Sequence, residues 1–357
     1  MKHPTWHKIH SAFRLNDIPY SFESLSEICY HLKQEGKPFE KPIGDFLLDW
    51  ISDRPVVEVT TSGSTGKPKT IVLKKEHMVN SALATGEYFQ LQPKQKALLC
   101  LPCTGIAGKM MLVRAMVLGL HLDYVEPSSS PLPENSKIYD FAAMVPLQVQ
   151  NSLNQLSRIQ TLIIGGAPVD SSLRSQLVKL SVRAFETYGM TETITHIAVK
   201  RIAGDSTNYF ETLPNVFVAQ DNRECLVIDA PKISAGKVVT NDLVELIDKT
   251  QFKWLGRYDS IINSGGVKLV PETIEEKLST IVKSRFFVAG LPDKILGQRL
   301  VLVVEGKPIN EQELLQNIKG LKDISKYEVP KEIYFMKSFT ETPTQKIDRK
   351  KTIKQVI

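Results

Sequence analysis

Thr60-Thr61-Ser62-Gly63-Ser64-Thr65-Gly66-Lys67-Pro68-Lys69 is the stretch on which the reading of this chain turns. The short apolar run Pro55-Val56-Val57-Glu58-Val59 leads into it, and Thr70-Ile71-Val72-Leu73 leads out. Both flanks have the β-branched character of strands. A loop between two strands exposes successive N–H groups and hydroxyls on one rim, where phosphate oxygens can accept them. Glycine permits the positive-φ turns and close approach that such a cradle needs. The common nucleotide loop places four residues between its first glycine and Gly-Lys-Ser/Thr and runs into a helix. Here Gly63 and Gly66 are only three apart, and Pro68 follows Lys67. Taken by itself, the same composition also suits a flexible Ser/Gly linker.

Outward from this stretch, apolar runs alternate with helix-period segments as far as residue 190. Ile71–Leu73 is followed by an amphipathic Glu76–Phe89, Ala97–Leu101 by Lys109–Leu118 and His121–Val125, and Phe141–Val145 by Gln148–Leu156. Thr161–Ile164 and Ser171–Leu180 continue the pattern. Such alternation predicts an α/β layer with much parallel sheet. From Val216 to Leu255 the runs are short and no helical period is visible, which predicts a small β subdomain. After Gly256 the pattern resets. A hairpin at Ile261–Val270, a helix at Pro271–Ile281, strands at Phe286–Ala289 and Leu300–Glu305, a helix at Glu311–Ile318 and a strand near Ile333–Phe335 read as a smaller α+β domain. The expected domains are therefore 1–256 and 257–357.

The bulk properties narrow the class. With 357 residues, 42% hydrophobic and 24% charged, the chain can bury a full core. No apolar run reaches the roughly 18–20 residues of a membrane span, and the N-terminus lacks the apolar centre of a signal peptide. The expectation is a cytoplasmic protein without a membrane span. Cys29, Cys100, Cys103 and Cys225 do not suggest a disulfide framework. Cys100-Leu101-Pro102-Cys103 is a C-x-x-C, but no second pair exists to complete a zinc site, and the preceding Ala97-Leu98-Leu99 predicts buried strand-end thiols. The net charge is +6. Its C-terminal lysines are interleaved with acids rather than clustered with aromatics, so nucleic acid is not an expected partner.

Three further segments follow in order: Tyr188-Gly189-Met190-Thr191-Glu192-Thr193, then Thr240-Asn241-Asp242 with Gly256-Arg257-Tyr258-Asp259, then Pro343-Thr344-Gln345-Lys346-Ile347-Asp348-Arg349. Together with the first stretch this set resembles the AMP-forming adenylating superfamily of acyl- and aryl-CoA ligases, peptide-synthetase adenylation domains and luciferases. The resemblance runs from about Pro55 to Lys350. It implies attack of a carboxylate on the α-phosphorus of ATP, release of pyrophosphate, and displacement of AMP by a thiol such as coenzyme A. By the resemblance, Thr61, Ser62, Gly63, Ser64, Thr65, Gly66 and Lys69 surround the outer phosphates. Thr191 contacts the α-phosphate, and Glu192 holds Mg²⁺, a hard cation suited to carboxylate oxygen. Gly166 and Ala167, in Gly165-Gly166-Ala167-Pro168, and Tyr188 flank the adenine. Asp242 accepts from the ribose diol, as an acceptor-only carboxylate can, and Arg257 reaches ribose or phosphate. Asn241 stands where the family usually has glycine. Lys346 bridges carboxylate and α-phosphate as charge develops, with Gln345 replacing the usual preceding glycine. Asp259 is the hinge between two orientations of the small domain, one of which presents Ser264-Gly265-Gly266 to the thiol.

Relatives usually have a longer lead-in before the phosphate stretch. Compact members resemble o-succinylbenzoate–CoA ligases, and the Leu101-Pro102…Gly108…Arg114 segment is similar to theirs, with Gly105 in place of the usual histidine. The acid is then expected beside Gly189, with Lys109 and His196 as candidate partners for its remote end. Another acyl- or aryl-CoA ligase, an enzyme charging a carrier protein, and an inactive nucleotide- or nucleic-acid-binding module remain open. Oligomeric state is not legible.

Overall fold

The computed structural model describes residues 5–61, 69–134, 136–202, 207–341 and 347–356, Thr61 by its backbone alone. The chain divides into two compact units. One comprises Met1–Ala219, Val227–Val239 and Leu246–Lys253; the other comprises Gln220–Leu226, Thr240–Glu245 and Trp254–Ile357.

In the first unit, short strands β1 (Arg14–Leu15) and β2 (Ile18–Pro19) precede helices α1 (Leu25–Gln34) and α2 (Lys41–Ile51). The helices bury Leu25, Cys29 and Leu32 on one and Ile43, Phe46, Leu47 and Trp50 on the other. β3 (Val56–Thr61) and β4 (Lys69–Lys74) then pair antiparallel, from Val56↔Lys74 to Thr61↔Lys69. The strand–loop–strand setting is the one expected; Ser62, Gly63, Ser64, Thr65 and Gly66, like Lys346, lie outside the described residues. α3 (Lys75–Phe89) opens with a wholly buried lysine. Lys75 Nζ donates to the carbonyls of Asp49 (2.6 Å) and Ser52 (2.9 Å) and to Ser52 Oγ (3.3 Å). These acceptors belong to the end of α2, where carbonyls lack intrahelical partners.

The sheet follows: β5 (Lys96–Leu99), α4 (Ile106–Leu118), β6 (His121–Tyr124), β7 (Tyr139–Met144), α5 (Pro146–Asn151), β8 (Ile159–Ile164), α6 (Ser171–Leu177) and β9 (Arg183–Gly189). The five strands lie in the order β6-β5-β7-β8-β9, all parallel. β1 adds in parallel at β6; β10 (His196–Arg201) and β11 (Phe210–Thr212) add antiparallel beyond β9. Leu98, Ala142, Leu162 and Ala184 pack with Val149 and Leu173 of α5 and α6. Successive strand residues face opposite sides, so Phe141 and Phe185 look the other way, where Phe89 of α3 meets both rings, at 5.8 and 5.1 Å. α4, buried from Met110 to Met116, packs beside α3. Both faces are covered, which is why the strands read as continuous apolar runs. Strand order reverses at β5, with β6 on one side and β7 on the other. A reversal of this kind opens a crevice outside the strands' carboxyl ends.

β12 (Phe217–Gln220), β13 (Cys225–Asp229), β14 (Val238–Leu246) and β15 (Gln251–Arg257) follow without an intervening helix among the described residues. The division between the units runs through them. The second unit carries β16 (Ile262–Ser264), β17 (Val267–Leu269), α7 (Pro271–Leu278), β18 (Phe286–Asp293), β19 (Gly297–Glu305), α8 (Glu311–Lys319), β20 (Glu332–Met336) and α9 (Arg349–Ile353). Its sheet runs β17-β16-β19-β18, with β20 parallel to β19. Ile274, Leu278, Leu314 and Ile318 cover one face, and Phe339 with the α9 segment covers the other.

Candidate active site

The carboxyl ends of β8 and β9 bring together several of the residues singled out in the sequence. Beyond Ile164 the chain turns through Gly165, Gly166 and Ala167, with Gly166 at φ +82°, a region that favours glycine. Thr187 Oγ1 donates to Ile164 O at 3.1 Å, so this turn and the end of β9 lie side by side. Tyr188 packs edge-on against Phe252 at 5.2 Å and tilts against Phe210 at 5.8 Å. Beneath the turn sits Glu186, which the sequence reading passed over. It accepts from Val169 N (3.1 Å), Arg174 Nη2 (2.6 Å) and Lys200 Nζ (3.0 Å). Burial pushes this carboxyl up, but Lys200 and Arg174 outweigh burial and hold it below the usual range. Glu186 thereby fixes the turn that carries Gly166 and Ala167.

A tight hairpin joins β9 to β10. Thr191–Thr193 form a 3-10 turn, and Ile194 follows at φ +66°, ψ −60°. Thr195 N donates to Thr193 O at 2.7 Å, closing a γ-turn. Positive φ is rare for a β-branched residue, and such a conformation stores about 1–3 kcal/mol of strain. It is held because Ile194 is buried and Thr193 Oγ1 accepts from Met190 N at 3.2 Å. The turn leaves Thr191 half-buried and Glu192 exposed. β4, the strand leaving the hydroxyl-rich stretch, has Cα atoms within 8 Å of this turn. Gly189 is required where it stands: a Cβ there would lie 2.3 Å from Thr195 O.

His196 is buried opposite Gly189. Its Nδ1 lies 3.3 Å from Nη2 of Arg114, a guanidinium wholly enclosed in the middle of α4. Arg114 Nε donates to Thr85 Oγ1 at 3.3 Å. No carboxylate pairs with Arg114 among the described residues. Burial pushes the arginine down to about 9, and burial followed by the Arg114 charge pushes His196 well below its ordinary value. His196 also lines a cavity of about 610 Å³ together with Ser81, Ala84, Leu118, Leu213 and Val216. Lys109 has different surroundings. Its Nζ donates to Cys103 O at 2.7 Å and lies 5.2 Å from the centre of the Phe46 ring. The geometry therefore joins Lys109 to the loop before its own helix, and does not bring it together with His196. Cys100 and Cys103 are buried free thiols, both pushed up to about 12 by burial.

In the second unit, Asp242 Oδ1 accepts from Trp254 Nε1 (3.2 Å) and lies 3.5 Å from Arg257 Nη1. Asn241, in the place the family gives to glycine, accepts from Arg223 Nη1 at 2.9 Å, and Arg223 lies over the Tyr258 ring. Arg257 Nε donates to Asp259 Oδ1 at 3.1 Å; against burial, this bond and charge hold Asp259 below its usual range. Near the C-terminus, Asp348 N donates to Thr340 O at 2.8 Å, Glu341 bridges Ile347, and Arg349 pairs with Glu275 at 2.8 Å. These contacts form the stem of the segment in which Lys346 falls. Among the described residues no group of three or more His, Cys, Asp or Glu could hold a metal by itself. Mg²⁺ keeps several waters and takes one or two carboxylates plus substrate phosphates, and a single exposed Glu192 suits that kind of site.

The AMP-binding enzyme family matches residues 49–250. A 2-succinylbenzoate–CoA ligase from Bacillus cytotoxicus is 24% identical, covering 94% of this chain and 80% of the relative. An acyl-CoA synthetase (AMP-forming)/AMP-acid ligase II-like protein from Dyadobacter fermentans is 37% identical, with a TM-score of 0.62 over 93% of this chain and 98% of that one. The o-succinylbenzoate coenzyme A synthetase of Bacillus subtilis, solved with ATP and magnesium ion, is 19% identical, with a TM-score of 0.69 over 95% and 83% of the two chains.

Proposed function

The chain belongs to the AMP-binding enzyme family, and from that membership we propose that it activates a carboxylic acid with ATP and passes the acyl group to coenzyme A. One observation carries the reading: Gly166, Ala167, Tyr188, Gly189, Thr191 and Glu192 share one edge, outside the carboxyl ends of β8 and β9. A carboxylate is a poor acyl donor because its oxygen leaves badly and its charge repels nucleophiles. Transfer to the α-phosphorus of ATP supplies a leaving group, and the protein must hold both partners in line while negative charge builds. Tyr188 and the Gly166–Ala167 turn would flank the base, Asp242 would accept from the ribose diol with Arg257 beside it, and Thr191 would donate to the α-phosphate. A magnesium ion on Glu192 would neutralise phosphate charge. Lys346 would serve the first half-reaction and Ser264-Gly265-Gly266 the second, with Asp259 at the pivot.

The acid we propose is 2-succinylbenzoate. The named relatives support it, as does the resemblance of the Leu101-Pro102…Gly108…Arg114 segment to o-succinylbenzoate–CoA ligases. Pyrophosphate release, measured across a panel of carboxylic acids with and without coenzyme A, tests both levels. Release that requires an acid and Mg²⁺ and is greatest with 2-succinylbenzoate is expected. Preference for long-chain fatty acids would remove the substrate, and absence of ATP binding by calorimetry with Mg²⁺ present would remove the reaction.

A further inference from the structure

The turn between β18 and β19 is tied to the hairpin between β16 and β17. Ser264 pairs with Val267, so Gly265 and Gly266 form a two-residue loop, at φ +59° and +80°. Positive φ at both central residues is what a type I′ turn requires, and glycine reaches it freely. The same freedom offers a Gly-Gly loop many other shapes, and fixing one of them carries a large entropic cost. Contacts from outside the hairpin are what hold it. Gly265 N donates to Leu296 O at 2.8 Å, and Ser264 lies opposite Gly297 in the ladder. Both partners belong to the neighbouring turn.

That turn has an anchor of its own. Asp293 lies opposite Gly297, with Lys294, Ile295 and Leu296 between them and Gly297 at φ +74°. Asp293 Oδ1 accepts from Ile295 N (2.9 Å) and Leu296 N (2.8 Å). The amides of Leu296 and Ile295 hold this carboxyl below its usual range, so both bonds are made to an ionised acceptor, the stronger kind. Asp293 thus fixes the residue whose carbonyl receives Gly265. We propose that Asp293 is a positioning residue for the thiol-accepting half-reaction: through Leu296 O it holds the Gly265–Gly266 loop in the shape that meets the acceptor. The assignment rests on the acid-activating reading above, in which Ser264-Gly265-Gly266 serves the second half-reaction. Gly265 and Gly266 are the exposed residues that face the acceptor, and Asp293 acts on them through backbone alone.

The test measures the two half-reactions separately in the full-length protein. Pyrophosphate release reads adenylation. Transfer is read by supplying coenzyme A with the adenylate of whichever acid in the panel releases most pyrophosphate. Asp293→Ala should slow transfer about tenfold, the worth of a hydrogen bond to a charged group. Its pyrophosphate release should match the native rate, which also shows that the variant is folded. Asp293→Asn, whose amide oxygen can accept from both backbone N–H groups, should keep most of the transfer rate. Ile295→Ala removes the most exposed side chain of the turn, 92% accessible, and none of these bonds, so both steps should be unchanged. Hydrogen exchange at the Gly265 amide, identified by its loss in Gly265→Ala, should be faster in Asp293→Ala than in the native protein. Equal loss of both half-reactions in Asp293→Ala would make the turn an element of stability. Transfer slowed as much by Ile295→Ala would make it a contact surface. Either result overturns the assignment, as does native transfer by Asp293→Ala from a protein that does acylate coenzyme A. A native protein that acylates no coenzyme A removes the second half of the proposed function, and this inference with it.

Discussion

Protonating His196 would place a second cation 3.3 Å from a guanidinium already enclosed in α4. Its folded pKa lies well below the ordinary 6.5, whereas the unfolded chain titrates near that value. The unfolded state therefore binds more protons in the interval between, and stability that is fully present above pH 6.5 is lost as pH falls through it. The loss is at most about 1.4 kcal/mol per pH unit. Denaturant unfolding between pH 7 and 5 should show a steeper decline in the native protein than in His196→Gln; identical slopes would mean the imidazole is not held neutral. Lys346 calls for a different experiment, because its expected role is confined to the moment when charge builds on the α-phosphate. Lys346→Ala should slow acyl-adenylate formation by orders of magnitude, yet still convert supplied acyl-adenylate to thioester. Parallel loss of both steps would make the lysine structural. Sequence marked His196 through its nearness to Glu192 and Arg114 only as the end of a family-like segment, but gave no sign of Ser81 or Glu186. A serine, an arginine and a glutamate are ordinary surface residues until the fold encloses them, and the Arg114–His196 approach joins residues far apart in the chain. Lys109 was marked by its neighbours in sequence, and its ammonium is taken by a carbonyl that only helix geometry brings near.

At the level of elements, the end of α2 depends on a residue that belongs to α3. Lys75→Met keeps the length of the buried stem but leaves the carbonyls of Asp49 and Ser52 without their ammonium donor. The expected loss is about 1.5–3 kcal/mol, the worth of a hydrogen bond to a charged group, read as a lower denaturant midpoint with unchanged slope. No change in midpoint would mean that water replaces the lysine. The β9–β10 hairpin behaves in the opposite way, because Glu192 projects from it into solvent. Glu192→Gln should leave the midpoint within about 0.5 kcal/mol, as exposed substitutions do, while raising the Mg²⁺ concentration needed for pyrophosphate release. Unaltered metal dependence would exclude Glu192 as the ligand. The central strands were legible because a sheet covered on both faces writes itself as apolar runs. β10 was not, since it begins inside a polar motif and is reached through a γ-turn whose central residue, isoleucine, carries none of the glycine or asparagine that usually announces positive φ. α1 and α2 have helical spacing, but they precede every motif and bear on no chemistry that would single them out.

For the molecule as a whole, we propose that 257–357 is the smaller domain. Both of its hydrophobic clusters draw only on residues from Ile262 onward. A fragment spanning 257–357 should accordingly unfold cooperatively, with mixed helix and strand by circular dichroism; a non-cooperative melt would show that Gln220–Leu226 and Thr240–Glu245 are needed for it to fold. A chain read from left to right suggests one cut, and the returns of those two segments to the second unit are invisible to it because they depend on which strands lie side by side. The edge of the parallel sheet has a consequence for synthesis. β1 finds its partner in β6, with Arg14 opposite His121, about a hundred residues later. At ribosomal rates of about 5–20 residues per second, β1 and the short β2 that pairs with it emerge several seconds before the strand that ties them to the sheet exists. Phe13 and Leu15, buried in the finished protein, spend that time as bare apolar groups on a nascent chain. The segment around β1 is thus a natural place for a chaperone to hold, and for aggregation to begin when none does.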